Sequence, residues 1–194
     1  MENNNENKEM TAQESLSIIS EMMNNSRRAI LRNSSKHFIL WGILLIIVSL
    51  FTYEMWHITG NPRWNCFWFA MPALGFPMVR ILDRKESHVP QNVLNRQVGM
   101  IWLAYCAFAV TISIIAVLAV PMDITLLIVL VFGFAECVSG ILLKNWPIII
   151  GGFLLGIVGA VAARIFVSEE QLLIFTIGGV ILVATGLIVK HQHE

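Results

Sequence analysis

Glu136 is the residue whose type and position could most directly carry chemistry. It lies inside an apolar segment at residues 124–143, and the nearest basic residue along the sequence, Lys144, is about 12 Å away along a helix axis. A carboxylate at membrane depth costs several kcal/mol unless it is protonated, paired or hydrated, so it normally faces the interior of a helix bundle. It could bind a proton, a metal cation or an organic cation. As a structural group it could instead be neutral and bonded to Ser139, to Thr111 or to free backbone carbonyls.

Pro72 and Pro77 are the second chemical feature, because both interrupt another apolar segment, residues 64–82. Each proline lacks a backbone N–H and leaves the carbonyl of the preceding turn without its donor. Interrupted helices of this kind often line binding sites, although a simple kink satisfied by neighbouring helices is the alternative. We expect Pro72 and Pro77 to face Glu136 across the bundle, with Ser139 beside it, as a substrate-binding or ion-binding site.

Glu54, His57 and Arg63 form a third cluster, between the first two apolar segments and beside three tryptophans. Tryptophans in such a position are typical of the belt at a membrane–water interface. Glu54 lies one helical turn before His57 and could pair with it, or with Arg63 across the connection. The cluster predicts an interfacial ion pair, or alternatively an entry site for a metal ion or a proton.

Motifs of known enzyme classes are absent from the sequence. It contains no HExxH zinc helix, no paired intramembrane aspartates and no glycine loop that would cradle a phosphate. The three cysteines are widely spaced and include no CxxC pair. We therefore expect no enzyme activity, no cofactor and no metal centre. The formal net charge is zero, which gives no overall attraction to nucleic acid.

These residues are carried by long apolar segments, each close to the roughly 20 residues that a helix needs to cross about 30 Å of hydrocarbon. The six segments cover residues 38–56, 64–82, 98–120, 124–143, 146–163 and 172–189. The sequence therefore predicts an all-α integral membrane bundle of six transmembrane helices, with the lipid bilayer as its surroundings.

The basic residues fall on alternate sides of these segments and predict the topology. If all six cross and the N-terminus is cytoplasmic, eleven of the thirteen Lys and Arg residues lie inside, and only Arg63 and Arg164 lie outside. If the proline-containing segment did not cross, the balance would fall to six inside against seven outside. We therefore expect six spans in a bacterial inner membrane, with both termini cytoplasmic.

Residues 1–36 are polar and predict a disordered start followed by an amphipathic helix. Thr11 and Glu14 have the spacing of a capping box, and Leu16, Ile19 and Met23 recur on one helical face. We expect this helix to lie on the inner membrane surface, to pack on the protein's own loops, or to bind a cytoplasmic protein. Residues 11–33 and 83–97 are the candidate partner-binding segments. The predicted divisions are thus residues 1–36, a transmembrane domain at 37–190 and a polar tail at 191–194.

Glycines predict which helices approach each other closely. Gly152, Gly156 and Gly159 lie in the fifth span, and Gly179 and Gly186 lie in the sixth. Because lipid supplies no hydrophobic drive between helices, close backbone approach at small residues holds them together. We expect these glycines to pack spans five and six together within one chain. The alternative is a homodimer formed through span five.

The stretch ESLSIISEMMNNSRRAILRNSSKHFILWGILL resembles a family of small, uncharacterised, polytopic bacterial inner-membrane proteins. The resemblance implies a membrane location but no activity and no site residues. The central carboxylate favours a small-solute or cation transporter or channel. The alternative is a non-transporting membrane partner, sensor or assembly protein.

Overall fold

The computed structural model describes residues 12–84, 93–119 and 122–193 of the chain, and within them every regular element is a helix. In chain order the elements are α1 (Ala12–Thr59), a 3-10 helix (Pro62–Phe69), α2 (Ala70–Arg84), α3 (Val93–Leu118), α4 (Ile124–Leu142), α5 (Trp146–Phe153), a π-helix (Leu154–Val158), α6 (Gly159–Ile165), a second 3-10 helix (Ser168–Gln171) and α7 (Leu172–His193).

Six of the helical stretches are long and apolar enough to cross a membrane, which confirms the predicted number by length and composition. They are Gln13–Thr59, Pro62–Leu82, Arg96–Ala116, Ile124–Leu142, Trp146–Ile165 and Ser168–Gln192. Each contains most of one predicted apolar segment. The fifth is α5, the π-helix and α6 in succession, and we call this composite helix span five.

α1 is one helix of 48 residues, so the amphipathic segment is not a separate helix before the first span as predicted. It continues unbroken through the predicted division at residue 36, because neither proline nor glycine occurs between residues 12 and 41. A helix of this length extends about 72 Å, more than twice the roughly 30 Å of hydrocarbon. Thr11, the first residue of the predicted capping box, lies outside the described residues.

α1 and α7 pack tightly against each other through small residues. A Cβ atom added at Gly179 would lie 2.7 Å from the carbonyl oxygen of Gly42, and one at Gly186 would lie 2.8 Å from that of Ser35. The hydroxyls of Ser49 and Thr176 form a hydrogen bond of 2.8 Å between the same two helices. Gly179 and Gly186 of the sixth span therefore pack against the first span, whereas the neighbouring Gly178 faces Leu155 of span five.

The glycines of span five pack against α4. A Cβ atom at Gly152 would lie 2.6 Å from the backbone nitrogen of Cys137, and one at Gly156 would lie 3.2 Å from the Cα of Gly133. Gly159 lies against Val129, also in α4. Since α4 occupies this face, a second copy of the chain could reach these glycines only by displacing α4.

α2 and α3 lie on the outside of the bundle that α1, α4, span five and α7 form. Of the 18 most apolar consecutive residues in each span, 6% are buried in the span that contains α2 and 0% in the span that contains α3. Gly75 of α2 packs against the indole ring of Trp41 in α1. α3 rests on α4 through Trp102, whose ring centroid lies 5.5 Å from that of Phe132. The core of the molecule is therefore formed by four spans rather than six.

Candidate functional site

Glu136 is completely buried in the core, with 0% of its surface exposed. It is carried by α4, which begins where the side chain of Asp123 accepts a hydrogen bond of 3.0 Å from the backbone N–H of Leu126. Neither carboxyl oxygen of Glu136 has a hydrogen-bond partner among the described residues. Buried polar atoms of this kind are rare in folded proteins, because leaving one unpaired costs about 1–3 kcal/mol.

Gly151 of α5 and Thr185 of α7 surround the carboxyl group. A Cβ atom built on Gly151 would lie 2.8 Å from Oε1 of Glu136 and 2.7 Å from Oγ1 of Thr185. The carboxyl therefore fills space that exists only because residue 151 has no side chain. Thr185 is itself 4% exposed, so the site lies at the junction of α4, α5 and α7.

The hydroxyls expected to hold Glu136 as a structural group are bonded elsewhere. Ser139 is buried one turn further along α4, where its Oγ donates to the carbonyl oxygen of Ala135 at 2.8 Å. Thr111 is exposed on α3 and donates to the carbonyl oxygen of Ala107 at 2.8 Å. Neither hydroxyl forms a hydrogen bond with the carboxyl of Glu136, so the structure brings Ser139 near the site without pairing it.

Pro72 and Pro77 are not brought to Glu136, and their predicted position opposite it is wrong. Both are exposed in α2, which packs on α1 at the outside of the bundle, whereas Glu136 faces α5 and α7. α2 is also one helix from Ala70 to Arg84, so the predicted interruption around these prolines does not occur. The helix type changes earlier, where the 3-10 helix meets α2 at Ala70.

Gly151 and Thr185 were missed as site residues. The sequence carried a signal for each, a glycine pair in span five and a hydroxyl inside span six. Neither signal points to Glu136, because hydropathy does not tell which helix lies beside it. The π-helix Leu154–Val158 begins three residues after Gly151, and π-helical segments within α-helices are frequent at functional sites.

The predicted cluster of Glu54, His57 and Arg63 assembles differently from the expectation. Nδ1 of His57 lies 3.4 Å from Oε1 of Glu169, which belongs to the connection before α7, and the imidazole stacks on Tyr53 with ring centroids 5.6 Å apart. Glu54 and Arg63 are exposed and form no ion pair within the described part of the chain. The partner of His57 is thus Glu169 rather than the predicted Glu54, because the fold brings the end of α1 to the start of α7.

Comparisons with protein-family models, curated proteins and solved structures give no match to this chain. The resemblance of its N-terminal stretch therefore stays a prediction from the residues quoted above.

Proposed function

We propose that the protein is a small membrane transporter in which Glu136 binds a proton or another small cation, and that the described conformation is the closed state. The observation that carries this proposal is the complete burial of a carboxyl group whose two oxygens have no partner among the described residues. A cation needs an oxygen-rich ligand that is not already bonded, and Glu136 supplies one inside a span.

A purely structural role accounts less well for this carboxyl. A structural polar group contributes stability through its hydrogen bonds, and an unpaired one lowers the stability of the fold. An apolar side chain at residue 136 would fill the same space between α5 and α7 without that cost. Ionisable groups within spans commonly mark ion or proton pathways for the same reason.

Movement of span five supplies a route by which the site could open. Gly151 closes over the carboxyl, and the π-helix that follows contains Gly156, which packs on α4. Conversion of this π-turn to α-helix would change the rotation of one half of span five relative to the other. Gly151 would then turn away from Glu136 and expose the carboxyl to one side of the membrane.

We further propose that the protein lies in a bacterial inner membrane with its basic end in the cytoplasm. Arg27, Arg28 and Lys144 line one cleft at one end of the bundle, whereas His57 and Glu169 meet at the other end. With eleven of thirteen basic residues assigned to the first end, the positive-inside rule directs that end to the cytoplasm. Both termini would then be cytoplasmic.

Flux measurements on the purified protein test the role of Glu136. The protein is reconstituted into vesicles that contain a pH-sensitive dye, and proton movement is followed under imposed proton, sodium and potassium gradients. Wild type should dissipate at least one gradient, and Glu136→Gln should lose this flux because an amide cannot bind the cation. The matched control is Glu54→Gln, which removes an exposed carboxylate at the end of the bundle where His57 and Glu169 meet. This variant should keep the flux. Equal flux in wild type and Glu136→Gln, or none in wild type, would contradict the proposal.

A second role, docking of a cytoplasmic protein, is favoured by the first part of α1. Leu16, Ile19 and Met23 are 66%, 54% and 57% exposed, on a stretch of helix that extends beyond the other spans. In residues 83–97, the other predicted partner segment, residues 85–92 lie outside the described chain. A photo-reactive residue at Ile19 should cross-link one protein of constant mass in cells. A photo-reactive residue at Glu21 is the control, and cross-linking of lipid alone at Ile19 would exclude the docking role.

A further inference from the structure

A cleft at the basic end of the bundle has the chemistry of a phosphate site. It has a volume of about 490 Å³ and lies between α1, the turn that joins α4 to α5, and the end of α7. Arg27 and Arg28 enter it from α1, and Lys144 enters it from the turn. None of the described residues that line the cleft is acidic, so its three cations share the cleft without a described carboxylate in its wall. Three cations that converge on one cleft repel each other unless an anion joins them.

Arg27 is incompletely satisfied within the described chain. Its Nη1 donates to Oδ1 of Asn24 at 3.3 Å, while its Nε is buried without a hydrogen-bond partner. A guanidinium offers donors along a planar edge that matches two oxygens of one phosphate group. The terminal Nη atoms of this guanidinium carry further N–H donors beside the one that bonds Asn24, and a phosphate oxygen in the cleft would accept from them.

The turn that carries Lys144 is held in a fixed shape. Lys144 has a φ of +48°, in the left-handed region that non-glycine residues rarely adopt. The backbone N–H of the next residue, Asn145, donates to the carbonyl oxygen of Gly140 at 2.9 Å, and the Asn145 side chain donates to Gln192 at 3.4 Å. The backbone that carries Lys144 is thereby fixed to α4 and α7 at the wall of the cleft that Arg27 and Arg28 also line.

The surroundings of the three cations favour a lipid over a soluble phosphate. The cleft lies level with the ends of α4 and α7, where a span meets the headgroup layer. Trp146 lines it and is 73% exposed, as is typical of tryptophans at that level. Leu31 and Leu143 also line it and are 3% and 1% exposed, which adds buried apolar side chains to the wall of a charged cleft.

We propose that this cleft binds the phosphate group of an anionic phospholipid, with Arg27, Arg28 and Lys144 on the phosphate and Trp146 beside the glycerol backbone. The site is separate from Glu136, and its occupation does not depend on whether the protein transports a cation. Because the cleft joins α1 to the α4–α5 turn and to α7, a bound lipid would tie the ends of all four core spans together.

Native mass spectrometry of the detergent-purified full-length protein tests the site with three probes: short-chain phosphatidylglycerol, short-chain phosphatidylcholine and inorganic phosphate. Wild type should bind phosphatidylglycerol more tightly than either of the other two, because only that probe combines a net negative phosphate with an apolar body. Equal binding of the two lipids would overturn the proposal without any variant. Equal binding of phosphatidylglycerol and inorganic phosphate would assign the cleft to a soluble phosphate and overturn the lipid assignment.

The double variant Arg27→Gln/Lys144→Gln should weaken phosphatidylglycerol binding about tenfold or more, since each basic residue near an anionic lipid contributes several-fold to binding. Its matched control is Arg63→Gln/Arg164→Gln, which removes the same charge from the opposite end of the molecule and should leave the affinity unchanged. Equal losses in both double variants would show a general effect of charge and overturn the site. Unchanged phosphatidylglycerol binding in Arg27→Gln/Lys144→Gln would also overturn the site.

Discussion

At the scale of single residues, the molecule contains one carboxyl group in a setting that stability alone does not favour. Glu136 is fully buried, and its oxygens have no partner within the described residues. The space it occupies depends on the missing side chain of Gly151. Natural proteins commonly keep destabilising groups where function requires them, so stability and activity should respond in opposite directions to changes at this position.

Glu136→Met should raise the free energy of unfolding by about 1–3 kcal/mol, because it replaces an unpaired polar group by an unbranched apolar one of similar length. The thermal midpoint in detergent should rise accordingly, while any flux that depends on Glu136 is lost. Glu54→Met, at an exposed position, should leave the midpoint unchanged. A fall in the midpoint of Glu136→Met would mean that the carboxyl has a stabilising partner.

At the scale of helices, glycines allow close packing at two helix pairs in particular, α1 with α7 and α4 with span five. The contact between α4 and span five is the tighter of the two. At Gly133, an added Cβ atom would lie 2.5 Å from the carbonyl oxygen of Gly152 and from the backbone nitrogen of Gly156. Backbone atoms cannot rotate away as a side chain can. α4 and span five would therefore have to move apart, which would also open the space around Glu136 that these two helices enclose.

Gly133→Ala should therefore destabilise the protein by about 1–3 kcal/mol or more, as overpacking does in other cores. Gly156→Ala should cost less, since its Cβ atom would meet the Cα of Gly133 at 3.2 Å, a contact that a small shift relieves. Gly99→Ala on α3, with nothing within 4 Å, is the control and should be neutral or slightly stabilising. Thermal unfolding in detergent ranks the three variants. Equal midpoints for Gly133→Ala and Gly99→Ala would disprove the contact.

At the scale of the whole molecule, a four-span core carries two peripheral spans, and the long helix α1 extends beyond the bundle at the basic end. The two polar features described here lie at different depths. Glu136 is inside the core between α4, α5 and α7, whereas the basic cleft is at the end where Arg27 and Lys144 meet. This division separates a candidate site for a small cation from a candidate site for a lipid headgroup.

Single cysteines in a cysteine-free background should report the orientation of the molecule. A cysteine at Asn61, in the connection after α1, should react with a membrane-impermeant maleimide in intact bacterial cells. A cysteine at Gln192, near the end of α7, should react only after the cells are opened, because the positive-inside rule directs the basic end to the cytoplasm. Labelling of the Gln192 cysteine in intact cells would reverse the proposed topology.

The sequence by itself determined the class of fold, the number of candidate spans and the place of Glu136 within the fourth of them. These properties follow from local constraints, since a span needs about 20 apolar residues and each helix satisfies its own backbone hydrogen bonds. The start of α5 is equally local: Pro147 lies in its first turn, and Asn145 caps it by accepting a hydrogen bond from Ile148 at 3.3 Å. Nothing beyond neighbouring residues is needed to place these features.

Only the tertiary structure decided which helices are neighbours. The glycines of span five could have packed on any helix with a small residue at matching height; Gly152 and Gly156 pack on α4 near Gly133, and Gly151 faces Thr185 of α7. Glu136 consequently meets Gly151 and Thr185 instead of Pro72 and Pro77, and Arg27 lines one cleft with Lys144, more than a hundred residues away in sequence. The physical reason is that apolar faces of transmembrane helices are chemically alike, so the partner is selected by shape complementarity over whole helices, which periodicity and composition do not contain.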